Sequence, residues 1–168
     1  MLGRTAGGLF WMFRYLERAE NISRLIDAGL RISLTRSGDN QGDWNSILKT
    51  AAVLEKFHEA YSSEINLTSA TDWLLRDKTN PSSVLVSIES ARSNARMVRT
   101  ALTREVWEAV NEAWMLISQA LSRKVSERDL PAVLHLIRER VAYVRGSLHG
   151  TMLRNEIFNF ARIGTFLE

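Results

Sequence analysis

An all-α fold, an up-and-down helical bundle of about six helices with no sheet, follows from three observations in the 168-residue sequence. Apolar residues recur at three- and four-residue steps through most of the chain. Only two prolines and nine glycines are present, so few positions force the backbone out of a helix. No alternating apolar and polar run is flanked by hairpin turns. A chain of this length forms one domain, residues 1–168, with a real hydrophobic core.

The first helix is expected from about Thr5 to about Ser33, with Leu9, Met12, Leu16, Ala19, Ile26 and Leu30 as its apolar stripe. The polar string Ser37-Gly38-Asp39-Asn40-Gln41-Gly42 then reads as a loop. A second helix runs from Asp43 to Tyr61 through Trp44, Ile47, Leu48, Ala51, Leu54 and Phe57, and a short one follows Thr68, anchored by Trp73, Leu74 and Leu75. Asn80-Pro81-Ser82-Ser83 is a start signal, with Asn80 as cap and Pro81 at the first helical position, where its missing N–H has no helical partner to lose. The stripe that follows is Val84, Ile88, Ala91, Ala95, Val98 and Leu102. Thr103 caps the next helix, through Trp107, Val110, Trp114 and Ile117. Ser126, Asp129 and Pro131 open another, through Leu134, Ile137, Val141 and Val144 to Gly146. Gly150-Thr151 separates it from a last helix, about Leu153 to Glu168.

Composition excludes several classes of function. The net charge of +3, from 22 basic and 19 acidic residues, is too even for a nucleic-acid or anionic-membrane binder. The absence of cysteine removes disulfides, thiolate nucleophiles and thiolate metal sites, and fits the cytoplasm. The apolar run Leu9 to Phe13 is too short for a signal-peptide core, and nothing approaches a membrane span.

The charges of LFWMFRYLERAENISR, residues 9–24, are the unusual feature. At roughly 100° per residue, positions 9, 16, 20 and 27 fall near one line, so Glu20 and Asp27 lie inside the apolar stripe and are expected at least partly buried. Burying a carboxylate is costly without a compensating cation, and Arg24 and Arg31 each stand four residues beyond one of these acids. Glu17 and Arg18 fit either this network or a surface ion pair, while Arg14 and Arg18 are expected to face water. On the helix after Asn80, Asn94 lies at one edge of the small-residue stripe and Arg92 and Arg99 at the other. The expectation is that Arg92 and Arg99 reach across to the acids of the first helix.

Two patterns lead nowhere at this level. Glu55 and His58 have the spacing of one di-iron bundle motif, but no second copy exists, and His135 and His149 lack the preceding carboxylate, so neither a metal nor another cofactor is expected. The arginines from Arg92 to Arg104 are flanked by acids at Glu89 and Glu105 and show no evident aromatic stacking pattern, so they read as a solvated or paired face. A weak internal echo lays Phe166-Leu167-Glu168 on Tyr15-Leu16-Glu17, as if a second charged helix began at Glu168 and the chain were the N-terminal portion of a longer pattern.

Arg4-Thr5-Ala6 with LFWMFRYLERAENISRLID, NPSSVLVSIESARSNARMVR with Glu105-Val106-Trp107-Glu108 and Asn111, and Gly150-Thr151-Met152 together resemble the bacterial alpha-E domain family along essentially the whole chain. The resemblance implies an all-helical protein that occurs beside or fused to circularly permuted ATP-grasp proteins, with transglutaminase-like and proteasome-like proteins as neighbours. It places the family's charged motif on Glu17, Arg18, Glu20, Asn21 and Arg24, and its second motif on Asn80, Pro81, Ser82, Ser83, Arg92, Asn94, Arg96 and Arg99. Ser93 stands where the family more often has Glu.

Two functions follow. In the first, the chain is an accessory or catalytic partner of an ATP-grasp-type ligase in amide or peptide-bond formation or peptide modification. Glu17, Glu20 and Arg24 are then the catalytic residues, and Asn21, Arg92, Asn94, Arg96 and Arg99 bind substrate. In the second, it is a non-catalytic scaffold or interaction module, alone or as a homo-oligomer, whose buried ion pairs fix packing and whose Trp11, Trp44 and Trp114 fill core or interface.

Overall fold

In the computed structural model, which describes residues 2–35, 40–62 and 64–168, the chain is all-helical. Its α-helices are α1 (Leu2–Thr35), α2 (Asn40–Thr50), α3 (Leu54–Ala60), α4 (Leu67–Leu75), α5 (Val84–Met97), α6 (Arg104–Ala120), α7 (Leu130–Thr151) and α8 (Glu156–Phe166). Eight α-helices among the described residues exceed the expected count of about six: the second expected helix is broken into α2 and α3, and the short helix after Thr68 is present as α4. Helices α1, α5, α6 and α7 form a ring in which each packs on the next, α8 lies along the outside of α1, and α2, α3 and α4 pack toward the C-terminal end of α1. Among the described residues no helix is long and apolar enough to cross a membrane.

The expected stripes form the core. Leu9, Met12, Leu16, Ala19 and Ile26 of α1 meet Ile88, Ala91 and Ala95 of α5, Val106, Val110 and Ile117 of α6, and Leu134, Ile137, Val141 and Val144 of α7, all buried. Close approach is possible where side chains are small. A Cβ built on Gly8 would fall 2.3 Å from Val98 Cγ1, and one on Gly164 would fall 2.2 Å from the Phe10 carbonyl oxygen. The first contact puts the start of α1 beside the end of α5, so these two run antiparallel; the second seats α8 directly on the α1 backbone. Trp44, fully buried, lies over Gly29 at the other end of α1.

Several boundaries differ from those expected, each for a local reason. The loop assigned to Ser37–Gly42 falls partly outside the described residues, and Asn40–Gly42 begin α2. The second helix stops at Thr50 because Ala52 turns left-handed, with φ of 55°. There the Val53 amide donates to the Leu48 carbonyl and the Ala52 amide to Lys49, a Schellman end closed by the buried pair Leu48 and Val53. Ala52→Gly is therefore expected to raise stability by about 0.5–1 kcal/mol, the relief of the left-handed penalty less the extra unfolded-state entropy of glycine, read by urea denaturation.

Asn80 does not cap α5. Its side chain donates to the Trp73 carbonyl at 3.1 Å and accepts from the Ser82 amide, forming a buried turn, and Ser83 caps the helix by accepting from the Val86 amide. Thr103 caps α6 as expected. Helix α7 continues past Gly146 and Gly150 to Thr151, since Leu148 is still buried there, and Asn155 caps α8 by accepting from the Phe158 amide.

Candidate functional site

The inward acids of α1 meet α7. Glu20 is only 3% exposed and Glu17 8%. One guanidinium, Arg145, spans both: its Nη1 donates to Glu17 Oε1 at 2.7 Å and its Nη2 to Glu20 Oε2 at 2.5 Å. Arg24 completes Glu20 from the same helix, its Nη2 donating to Oε1 at 2.5 Å and its Nε at 3.2 Å. Two turns on, Asp27 accepts from Arg31 at 3.1 Å and lies 3.2 Å from Arg138. Glu20 and Asp27 stand seven residues apart on α1, and Arg145 and Arg138 stand seven apart on α7. Antiparallel helices with rungs at equal spacing, about 10.5 Å, meet twice in register.

Fixed guanidinium geometry explains the double grip, since a planar fork offers one nitrogen to each carboxylate without strain. Buried carboxylates so close together repel, and this is legible at Glu17. Burial, the largest influence, lifts the Glu17 carboxyl above its ordinary range; the charge of Arg145 pulls it back, and neighbouring Glu20 pushes it up again. Arg24 is held more firmly protonated by its hydrogen bond and charge contact with Glu20.

A second cluster lies on the outer side of α1. Glu168 accepts from Arg14 Nε at 2.8 Å and from Arg18 Nε at 2.5 Å. Burial tends to raise the Glu168 carboxyl, but hydrogen bonds from Arg18 and Arg14 outweigh it and hold the group below its usual range. Arg14 and Arg18 thus do not simply face water: Arg14 also lies over Trp11 and Arg18 over Tyr15. Trp11 itself is 41% exposed and is not core, whereas Trp44 is.

The other expected site residues do not join the acids. Arg92 and Arg99 do not cross to α1; Arg92 donates through Nε to Asn111 at 2.8 Å and lies over Trp114, and Arg99 lies over Trp107. Their place opposite the acids is taken by Arg145 and Arg138, because α7 rather than α5 faces that side of α1. Asn94 donates to the Ser90 carbonyl of its own helix, and Asn21 and Arg96 are exposed. Glu55 and His58 are both exposed on α3, and no group of three or more potential metal-ligating side chains gathers among the described residues. Open clefts of about 520 and 460 Å³ lie elsewhere, the first including Arg76, Asp77 and Ser118, the second Tyr61 and Asn66; neither includes Glu17, Glu20 or Arg145.

A family model described as a predicted alpha-helical domain with a conserved ER motif, Alpha-E, matches residues 1–168. The chain belongs to the alpha-E family. The sequence contains Glu-Arg steps at 17–18, 127–128 and 139–140. In this alpha-E chain the first is the step whose two members each hold a distant partner, Glu17 reaching Arg145 and Arg18 reaching Glu168. At this step the glutamate faces α7 and the arginine faces the end of α8. No curated protein and no solved structure matches the chain.

Proposed function

We propose that the chain is a non-catalytic helical scaffold, that its Glu17–Glu20–Arg145 network fastens α1 to α7, and that the protein it serves in the cytoplasm is an ATP-grasp-type ligase of amide or peptide-bond chemistry. One observation carries the scaffold reading: a single arginine engages both inward carboxylates. An acid so engaged is a poor base, and neither cleft described above opens onto it. The partner is named by the family resemblance alone.

The accessory-catalyst reading is favoured by a different observation, the raised Glu17 carboxyl, since a carboxylate displaced toward neutral pH suits proton transfer. Glu17→Gln separates the two. It keeps the shape and an acceptor oxygen for Arg145. In the complex with the ATP-grasp protein and amino-acid or peptide substrates, the scaffold reading expects ATP turnover within about twofold of wild type, with complex formation intact. Turnover reduced a hundredfold or more in a variant that still melts and assembles normally would transfer the function to the catalytic reading.

A further inference from the structure

The arginines that do not reach the acids form an arrangement of their own. Arg92 and Arg99 stand seven apart on α5 and the short turn after it, and Trp114 and Trp107 stand seven apart on α6. The antiparallel pairing stacks them as two rungs: the Arg92 guanidinium is 4.0 Å from the Trp114 ring centroid, and that of Arg99 is 5.3 Å from Trp107. Asn111, between the two tryptophans, fixes the Arg92 plane through Nε at 2.8 Å. Arg96, exposed, stands one turn beyond Arg92.

None of these three arginines has a carboxylate partner among the described residues. The nearby acids are engaged or turned elsewhere: Glu108 is held by Arg104 at 2.7 Å, and Glu89 lines the cleft with Arg76 and Lys78. A guanidinium stacked on an indole loses little freedom when it binds, while its edge nitrogens remain free to donate. Arginine on tryptophan is also the composition of interface anchors.

We propose that the Arg92–Arg96–Arg99 face of α5, braced by Trp107 and Trp114, is a docking surface for an acidic segment of a partner protein. The rungs are about 10.5 Å apart, too far for one carboxylate or one phosphate to bridge. The occupant must present separated anionic groups, and glutamates at i, i+4 and i+7 of a helix have that spacing. Nucleic acid fits less well, because an indole face already covered by a guanidinium is closed to a stacking base. This surface goes beyond the scaffold reading and does not depend on the network at Glu17 and Glu20.

The test uses fluorescence anisotropy of a fluorescein-labelled Ala/Gln helical peptide carrying glutamates at i, i+4 and i+7, beside the same peptide with glutamines and a labelled oligothymidylate. The wild-type chain is expected to bind the acidic peptide alone, with affinity falling as salt rises. Arg96→Glu, which removes no internal contact, should weaken binding about tenfold or more. Arg123→Glu, an equal change of charge in an exposed loop, should leave it within about twofold. Arg92→Gln with Arg99→Gln should act as Arg96→Glu does, with circular dichroism reporting that the chain remains folded. No saturable binding to wild type, equal loss in Arg96→Glu and Arg123→Glu, or tighter binding of oligothymidylate than of the peptide would each overturn the proposal.

Discussion

Arg145→Met is expected to destabilise the fold by about 3 kcal/mol at pH 7, read as the shift of the urea midpoint. The methionine fills most of the same space, so the loss is electrostatic: Glu17 and Glu20 remain in the interior with their shared cation gone. The figure lies at the low end for a broken buried pair because Arg145 is partly solvated, its side chain 29% exposed. Acid should shrink the deficit. Once unpaired carboxylates take up protons, the uncompensated charge disappears, so the gap between variant and wild type narrows as the pH falls from neutral toward the carboxylate range. Converting Glu17, Glu20 and Arg145 together to apolar residues of similar volume should recover most of the loss. A deficit independent of pH would mean that Arg145 acts by packing.

Gly164→Ala is the second large effect, with an expected cost of about 3 kcal/mol in the same measurement. The new methyl group would stand 2.2 Å from the Phe10 carbonyl oxygen, a backbone atom of a buried helix that cannot turn aside. Helix α8 must lift away from α1, and Glu168 then leaves Arg14 and Arg18. This departure has its own signature. The folded Glu168 carboxyl is held below its unfolded value, so it contributes stability above the unfolded carboxylate range and loses that contribution as pH falls through the folded value. Glu17 has the opposite sign: its raised carboxyl favours the folded state as acid is added, up to the point where the unfolded chain is protonated too. Both proteins share Glu17. The difference between their acid titrations therefore reports Glu168, and Gly164→Ala should lose less stability than wild type between pH 5 and 3. Parallel curves would mean that α8 keeps its ion pairs after the substitution.

Periodicity carries fold class and core because burial is decided by which side of a helix a residue occupies, and that side repeats along the chain. Glu20 was readable as inward for the same reason. Its partner was not, since Arg145 lies 125 residues away and its helix shows only an apolar stripe with Arg138 and Arg145 on the flank. The matching seven-residue steps of Glu20 and Asp27 with Arg145 and Arg138 were the available signal, meaningful only once α1 and α7 are known to be antiparallel neighbours. Ala52 is a poor sign of a helix end because alanine is the best helix former; the break comes from the Leu48 and Val53 contact across it. Gly146 and Gly150 mislead in the opposite direction, because burial of Leu148 outweighs their weak propensity. The stacking of Arg92 and Arg99 escaped for the same reason as Arg145: tryptophans on the next helix show their relation to arginines only when the pairing is known.

The two rungs between α1 and α7 act as a vernier. Sliding α1 one turn in one direction would bring Arg24 opposite Arg145, cation against cation, and sliding it by seven residues would restore one rung while the other acid came opposite Met152, past the end of α7, or opposite Pro131 in its first turn. An apolar stripe alone tolerates such slips, because one leucine replaces another at each step. A chain with this ladder has a single admissible alignment of its longest helix, so misaligned collapsed states are penalised while the core is still forming.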